Sequence, residues 1–221
     1  MAIHKFVSHR IAWQIAKEFG WLPGARYTNL RDVRAAPKLG FLDIDWKNYS
    51  YSKHLDAASK TRPFITVARD VVDIRELDRT LEEAEALRKY CEHVVVVPKD
   101  PRLAGKIDTL IPLHFLIGYS VPTRYGGTTI HPKYIDRPVH LLGGRPDRQR
   151  ILANQLSVFS MDCNRFTLDA TFGDYFDGQQ FRSHPIGGYT QCLRDSIKHI
   201  TKIWDDYPPP DSSVRKKNAI S

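Results

Sequence analysis

Cysteine is scarce in this 221-residue chain: Cys91, Cys163 and Cys192 are odd in number and far apart. With no CxxC pair and no Cys/His cluster at ligand spacing, neither a disulfide framework nor a structural zinc site is expected, and no metal or cofactor is called for. Long apolar runs are also missing. Nothing approaches the ~20 apolar residues of a membrane span, and residues 1–20 carry His4, Lys5, Ser8, His9 and Arg10 where a secretory leader would be apolar. A soluble chain in a reducing, cytoplasmic compartment is therefore expected. There is no internal repeat and no phosphate-binding glycine fingerprint, since Gly126-Gly127 and Gly143-Gly144 fit neither GxGxxG nor the Walker A pattern. Acidic charge is in the minority, Asp+Glu 25 against Lys+Arg 33, and the net +8 favours a polyanionic partner, nucleic acid first, where it does not serve solubility alone.

What is present is an ordinary globular composition, 42% hydrophobic and 26% charged, with 11% aromatic residues that argue against general disorder. The length suits one core, so residues 1–207 read as a single domain. Residues 6–19 are compatible with an opening helix, stopped by Gly20 and Pro23. Residues 39–46 alternate Phe41, Asp43 and Asp45 against Leu42, Ile44 and Trp46, the period of a strand, which sets two carboxylates on one face. Further strands read at 63–68, 93–97, 113–119, 138–142 and 158–161, with helices over 74–91, from Pro146 through 156, and over 187–204. Six apolar strands with intervening helices or loops imply a parallel sheet buried on both faces. A compact TIM-type (β/α) barrel, small or incomplete, is favoured over an open doubly wound sheet, with residues 25–34 left to supply part of the missing strands. In either architecture ligands gather at the carboxyl ends of the strands. Residues 208–221, with Arg215, Lys216 and Lys217 after a proline run, read as a flexible basic tail.

Acidic residues recur where strands stop: Asp43 and Asp45, Asp70, Asp100 and Asp162. The competing role for each is a helix N-cap, favoured for Asp100 and evenly balanced for Asp70. Asp162 differs, because it follows a strand directly, in SMDCN, with no helical run starting there. A carboxylate so placed can be a nucleophile at an anomeric carbon, where an oxocarbenium-like transition state is stabilised by a nearby anion. A second carboxyl, Asp43 or Asp45, can then shuttle protons, the pair's pKa values being pushed apart by proximity.

Residues 139–178, VHLLGGRPDRQRILANQLSVFSMDCNRFTLDATFGDYFDG, resemble the end of the barrel in tRNA-guanine transglycosylases. There a strand ending in a glycine pair leads into a helix and the next strand ends in a Phe-Asp-Cys catalytic segment; Met161-Asp162-Cys163 matches it with Met for Phe. The short chain and Asn164 are more similar to the phage and virus-encoded DpdA-type paralogues that insert 7-deazaguanines into DNA. The resemblance implies Asp162 as the nucleophile that takes C1′ as guanine leaves, Asp43 or Asp45 as acid/base, and Asp70 as reader of the guanine edge. It sets Gly118, Gly143 and Gly144 in loops against the base; Asn164 and Arg165, next after the Met-Asp-Cys segment, are further substrate-binding candidates. The match covers roughly residues 39–178. The CxCxxC…H zinc site of the tRNA enzymes is absent, so a barrel without the zinc subdomain is implied, with DNA rather than tRNA as partner. The SDSGGFQ-like motif is absent at residues 43–48, which leaves the choice between Asp43 and Asp45 open.

Arg124, Arg145, Arg148, Arg150, Arg165 and Lys47 lie near strand ends and suit phosphate contacts, or equally a solvated basic surface. His140, within a strand, reads as a satisfied core histidine. Phe159, Phe166, Tyr119 and Tyr125 are candidates to stack an extruded base. The expectation is a pentosyltransferase that exchanges guanine in DNA for a free 7-deazaguanine, such as 7-cyano-7-deazaguanine, in the cytoplasm, that of the host where a virus encodes it. The alternatives are a nucleoside hydrolase or DNA glycosylase with the same site, and a non-catalytic nucleic-acid-binding module.

Overall fold

The computed structural model describes residues 3–124 and 126–208. Tyr125 and, from residue 209 on, the basic tail expected over 208–221 lie outside the described residues. Eight strands, β1 (His4–Val7), β2 (Leu22–Arg26), β3 (Phe41–Asp43), β4 (Ile65–Val67), β5 (His93–Val96), β6 (Leu116–Ser120), β7 (Val139–Leu142) and β8 (Val158–Asp162), pair in chain order, all parallel. The register His4↔Ser160, Lys5↔Met161, Phe6↔Asp162 closes β8 onto β1. The fold is thus α/β, a closed eight-stranded parallel barrel, and the expectation of an incomplete one is corrected.

The two strands that complete it escape a hydrophobic pattern for physical reasons. In β1, Lys5 is 7% exposed, and its Nζ reaches Asp205 at 2.7 Å, so a charged residue sits in a buried strand. In β2, Pro23-Gly24 reads as a turn. A Cβ on Gly24 would stand 2.4 Å from Ser8 Oγ, so the glycine admits β1 at close range. Of residues 25–34 only Ala25 and Arg26 belong to β2, and the remainder turns through a 3-10 segment, Arg31–Val33.

Helices cover most crossovers: α1 (Arg10–Ala16), α2 (Tyr51–Thr61), α3 (Leu77–Leu87), the single turn α4 (Ile107–Leu110) and α5 (Pro146–Leu152), with α6 (Arg165–Thr171) following β8. Between β2 and β3, and among the described residues between β6 and β7, only 3-10 turns occur. A small antiparallel hairpin, β9 (Asp174–Phe176) and β10 (Phe181–Ser183), precedes the final helix α7 (Tyr189–Asp205). Leu193, Ile197, Ile200 and Trp204 recur at helical spacing along α7 and are buried, each contributing about 1.5–3 kcal/mol through reduced apolar exposure.

The interior is layered. His4, Phe64, His93 and Phe159 come from around the whole ring, yet their rings lie 4.7–6.3 Å apart, so they close the N-terminal end. Above them Phe6, Phe41 and His140 meet at 4.9–5.9 Å. Strands β3 and β7 are four apart in a ring of eight, so Phe41 and His140 can touch only through the barrel. Two residues beyond Phe41 on β3, and two beyond Ser160 on β8, the hydrogen-bond partner of His140, the strand period brings Asp43 and Asp162 to the same inner face, nearer the C-terminal mouth. Among the described residues no helix is long and apolar enough to cross a membrane.

Candidate active site

At the C-terminal mouth the strand ends enclose a cavity of about 310 Å³ whose walls include Asp43, Asp70 and Asp162. Of the five carboxylates singled out in the sequence, these three share it.

Asp162 closes β8 with its side chain 9% exposed. Its Oδ1 accepts the Gly143 N–H at 2.9 Å, and His140 Nε2 stands 3.5 Å from the same oxygen. Among the described residues no donor reaches Oδ2. Gly143 and Gly144 carry φ of +59° and +84°, and a Cβ on Gly144 would stand 2.5 Å from Val121 Cγ1, so this turn admits nothing larger. The buried Gln149 of α5 donates from Nε2 to the Gly143 carbonyl at 2.8 Å and the Asp162 carbonyl at 2.7 Å, tying the turn to the strand end. Contrary to the sequence reading, a helix does start nearby: α6 begins three residues on, with Asn164 as its N-cap residue. Asn164 Oδ1 accepts the Ser8 N–H at 2.7 Å, pinning this turn to the end of β1 at the cavity wall.

His140 is fully buried, its Nδ1 bonded to Ser160 Oγ at 2.8 Å. Its Nε2 makes no hydrogen bond and faces Asp162, so it is not the satisfied core histidine expected.

Asp43 ends β3. Its Oδ1 accepts the Ile44 N–H at 2.8 Å, while Arg26 Nε lies 3.8 Å from Oδ2, too far for a hydrogen bond. Burial, then the negative charge of Asp162, push its pKa from 3.8 up to about 7; the Ile44 N–H and Arg26 oppose the rise. The 28% of its side chain that remains accessible opens onto this cavity and a smaller neighbouring one, not onto the convex surface. Asp70 is ion-paired with Lys99 at 2.6 Å, and both side chains are mostly buried.

Other expectations are corrected. Asp45 lies past the end of β3, where strand alternation no longer applies, and its Oδ1 accepts the backbone N–H groups of Lys47 and Asn48 at 3.2 and 3.4 Å. It caps its own turn and does not line the cavity. Gly118 is inside β6, where a Cβ would meet Val97 and Val95 at 2.6–2.7 Å, so it makes room in the barrel rather than in a loop against a ligand. The glycines at the mouth are Gly126, Gly127, Gly143 and Gly144. Asp100 caps a 3-10 turn through Arg102 N–H at 2.9 Å, as expected. Phe159 sits in the closed end, Phe166 packs edge-on against Trp21 at 6.1 Å, and the Tyr119 hydroxyl donates to the Ile130 carbonyl in the interior; none reaches the cavity. Burial pushes the Cys163 thiol up to about 12, which makes it inert. Among the described residues no group of three His, Cys, Asp or Glu side chains is placed to hold a metal ion.

Lys99, Arg26 and Trp46 are cavity residues that the sequence reading did not single out. Lys99 stands two residues beyond Val97 in the run HVVVVPK, a strand-end spacing that is the signal for it in the sequence. Arg26 was hidden with β2.

Beside the cavity, and sharing Thr123, Gly143, Gly144 and Asn164 with it, runs a trough of about 730 Å³ lined by Arg124, Arg145, Arg148 and Arg165. Arg165 is held by Asp169 through two bonds of 2.7 Å, and Arg145 by Asp147 at 3.0 Å. Two other candidates do not line the trough: Arg150 lies 5.2 Å over the Tyr207 ring, and Lys47 5.2 Å over the ring of Trp46 at the cavity rim.

A family model described as a family of unknown function (DUF6610) matches residues 16–205, most of the barrel and all of the cavity. No curated protein matches the chain.

Proposed function

We propose, for a chain that belongs to the DUF6610 family of unknown function, a base-exchange activity: replacement of guanine in DNA by a free 7-deazaguanine through a covalent aspartyl intermediate. The observation that carries this reading is a pair of carboxylates of opposite character in one cavity. Asp162 has two groups directed at one oxygen and leaves the other open, while Asp43 binds a proton near neutrality.

In the proposed first step Asp162 Oδ2 attacks C1′ of the nucleotide. The C1′–N9 bond breaks, its electron pair leaves with guanine, and Asp43 supplies the proton to the departing base. Asp162 Oδ1 becomes the ester carbonyl, still facing the Gly143 N–H and His140. In the second step the incoming base attacks C1′ from the face that guanine left, its proton passes to Asp43, and the carboxylate of Asp162 is released. Two inversions give net retention. An acid/base with a pKa near the working pH suits both directions of transfer. Asp70, paired with Lys99 at 2.6 Å, is suited to accept the N–H groups of a guanine edge. The same reading takes the barrel as TIM-type without the zinc subdomain of the tRNA enzymes, working in the cytoplasm, with three buried free cysteines in keeping with a reducing compartment.

The test is to incubate the protein with guanine-containing DNA and 7-cyano-7-deazaguanine, digest to nucleosides and analyse by mass. Incorporation by wild type and none by Asp162→Asn is the expected result. Release of guanine without incorporation identifies a hydrolase instead, and unchanged DNA removes the reading for that base.

A further inference from the structure

Trp46 is 57% exposed at the cavity rim, in the loop that follows β3, whereas Trp21 and Trp204 are each 2% exposed. Lys47 Nζ, 5.2 Å from its ring centroid, adds positive charge to the same rim. Across the mouth, the arginine trough opens from the loop after β7. In a ring of eight strands β3 and β7 are diametrically opposed, so the exposed indole and the arginines flank the cavity from opposite sides. The trough also carries an excess of positive charge: Asp147 and Asp169 each answer one arginine, and among the described residues no acidic group reaches Arg148.

Each feature selects a different part of a polymer. Arginines recognise phosphates and carry no base identity; an open indole face stacks on any base whose own face is free. In a duplex the neighbours of the reacting nucleotide are stacked and paired, so none presents a free face to Trp46. A single strand does, and crossing the mouth from Trp46 to the trough it must pass over the three carboxylates.

We infer that the substrate is a single DNA strand laid across the barrel mouth, one neighbouring base stacked on Trp46 and the phosphates on the other side held by Arg145 and Arg148. The chemistry at the crossing point and the assignment to DNA rest on the transglycosylase reading; the binding track for a single strand does not.

The experiment is fluorescence anisotropy with a labelled DNA of about 20 nucleotides, single-stranded and as a duplex, without any free base, over a range of salt concentrations. Single strands are expected to bind at least roughly 10-fold more tightly than the duplex. Trp46→Ala weakens single-strand binding roughly 5- to 100-fold with an unchanged salt slope, since stacking releases no counterions. Arg145→Ala with Arg148→Ala weakens binding and flattens the slope of log K against log salt by about 0.7 for each phosphate left without its arginine. These side chains are exposed, and far-UV circular dichroism melts matching wild type confirm that the variants fold. Equal or tighter duplex binding, or wild-type affinity in either variant, overturns the inference, and tighter binding of the same sequence as RNA overturns its assignment to DNA. Binding as expected without base exchange sinks the transglycosylase reading alone; exchange on duplex DNA with no single-strand preference sinks the track alone.

Discussion

The buried Asp43 carboxyl costs folding free energy once it loses its proton, and Asp43→Asn removes that cost. The folded chain keeps this proton up to a pH of about 7, whereas the unfolded chain releases it near 3.8. Between those values the folded state binds the extra proton, so this group's contribution to stability falls as pH rises through the window and is flat above it. A shift of roughly three units at 1.36 kcal/mol each sets a ceiling of about 4 kcal/mol. Access of cavity water to 28% of the side chain and the nearby Arg26 guanidinium reduce the expected value to about 2 kcal/mol. Asparagine keeps an oxygen to accept the Ile44 N–H and carries no charge. The variant is therefore expected to match wild type near pH 4 and to exceed it by about 2 kcal/mol above pH 8, a rise in melting temperature of roughly 4–8 °C for a chain of this size. Urea unfolding followed by circular dichroism at the two pH values measures the difference, and the titrating groups that do not interact with Asp43 cancel between the two proteins. An offset that does not change with pH, or a variant less stable than wild type in alkali, would refute the reasoning.

Asp162→Asn removes the second-largest cause of the Asp43 shift, so the Asp43 titration midpoint, followed by carboxyl carbon NMR, is expected to move below 7; an unmoved midpoint means the two groups do not sense each other. His140→Phe deletes the ring nitrogen facing Asp162 Oδ1 and is expected to lower the exchange rate roughly 10-fold or more at unchanged KM for the free base, with partial recovery in His140→Gln. A wild-type rate in the phenylalanine variant would leave His140 a packing role only. Gly144→Ala forces a side chain into a left-handed backbone against Val121 and is expected to cost about 1–3 kcal/mol in urea unfolding; unchanged stability would mean the turn yields.

All six strands legible in the sequence are present: β3 shows in its alternation, and β4 to β8 in the nearly unbroken apolar runs that burial of a parallel strand on both faces requires. β1 and β2 were illegible for the converse reason: a snorkelled Lys5 and a Pro-Gly pair break the run while a long-range ion pair and a close backbone approach sustain the strand. Helix α2 leaves little apolar signal in the sequence, because its buried side is only His54, Ala57 and Ala58. At the site, strand ends pointed to Asp43, Asp70 and Asp162, since topology alone brings them together. The same alternation misled at Asp45, where the strand had already ended and a local turn claimed the carboxylate. Nothing in the sequence distinguished His140 from a core histidine, because its unpartnered nitrogen is defined by a neighbour on β8.

The division of roles proposed for the two carboxylates draws on what the backbone offers each. At the end of β8 the left-handed glycine pair turns a backbone N–H back onto Asp162, and Gln149 fixes that turn from behind, so the anion has a donor that does not depend on a mobile side chain. At the end of β3 only the adjacent Ile44 N–H is available, and Arg26 stops 3.8 Å short. Burial and the negative charge of Asp162 in the same cavity push Asp43 towards holding the proton. Drawing Arg26 within hydrogen-bond distance would lower the Asp43 pKa and remove its use as an acid, so the incomplete ion pair is the feature on which a general acid at this position depends.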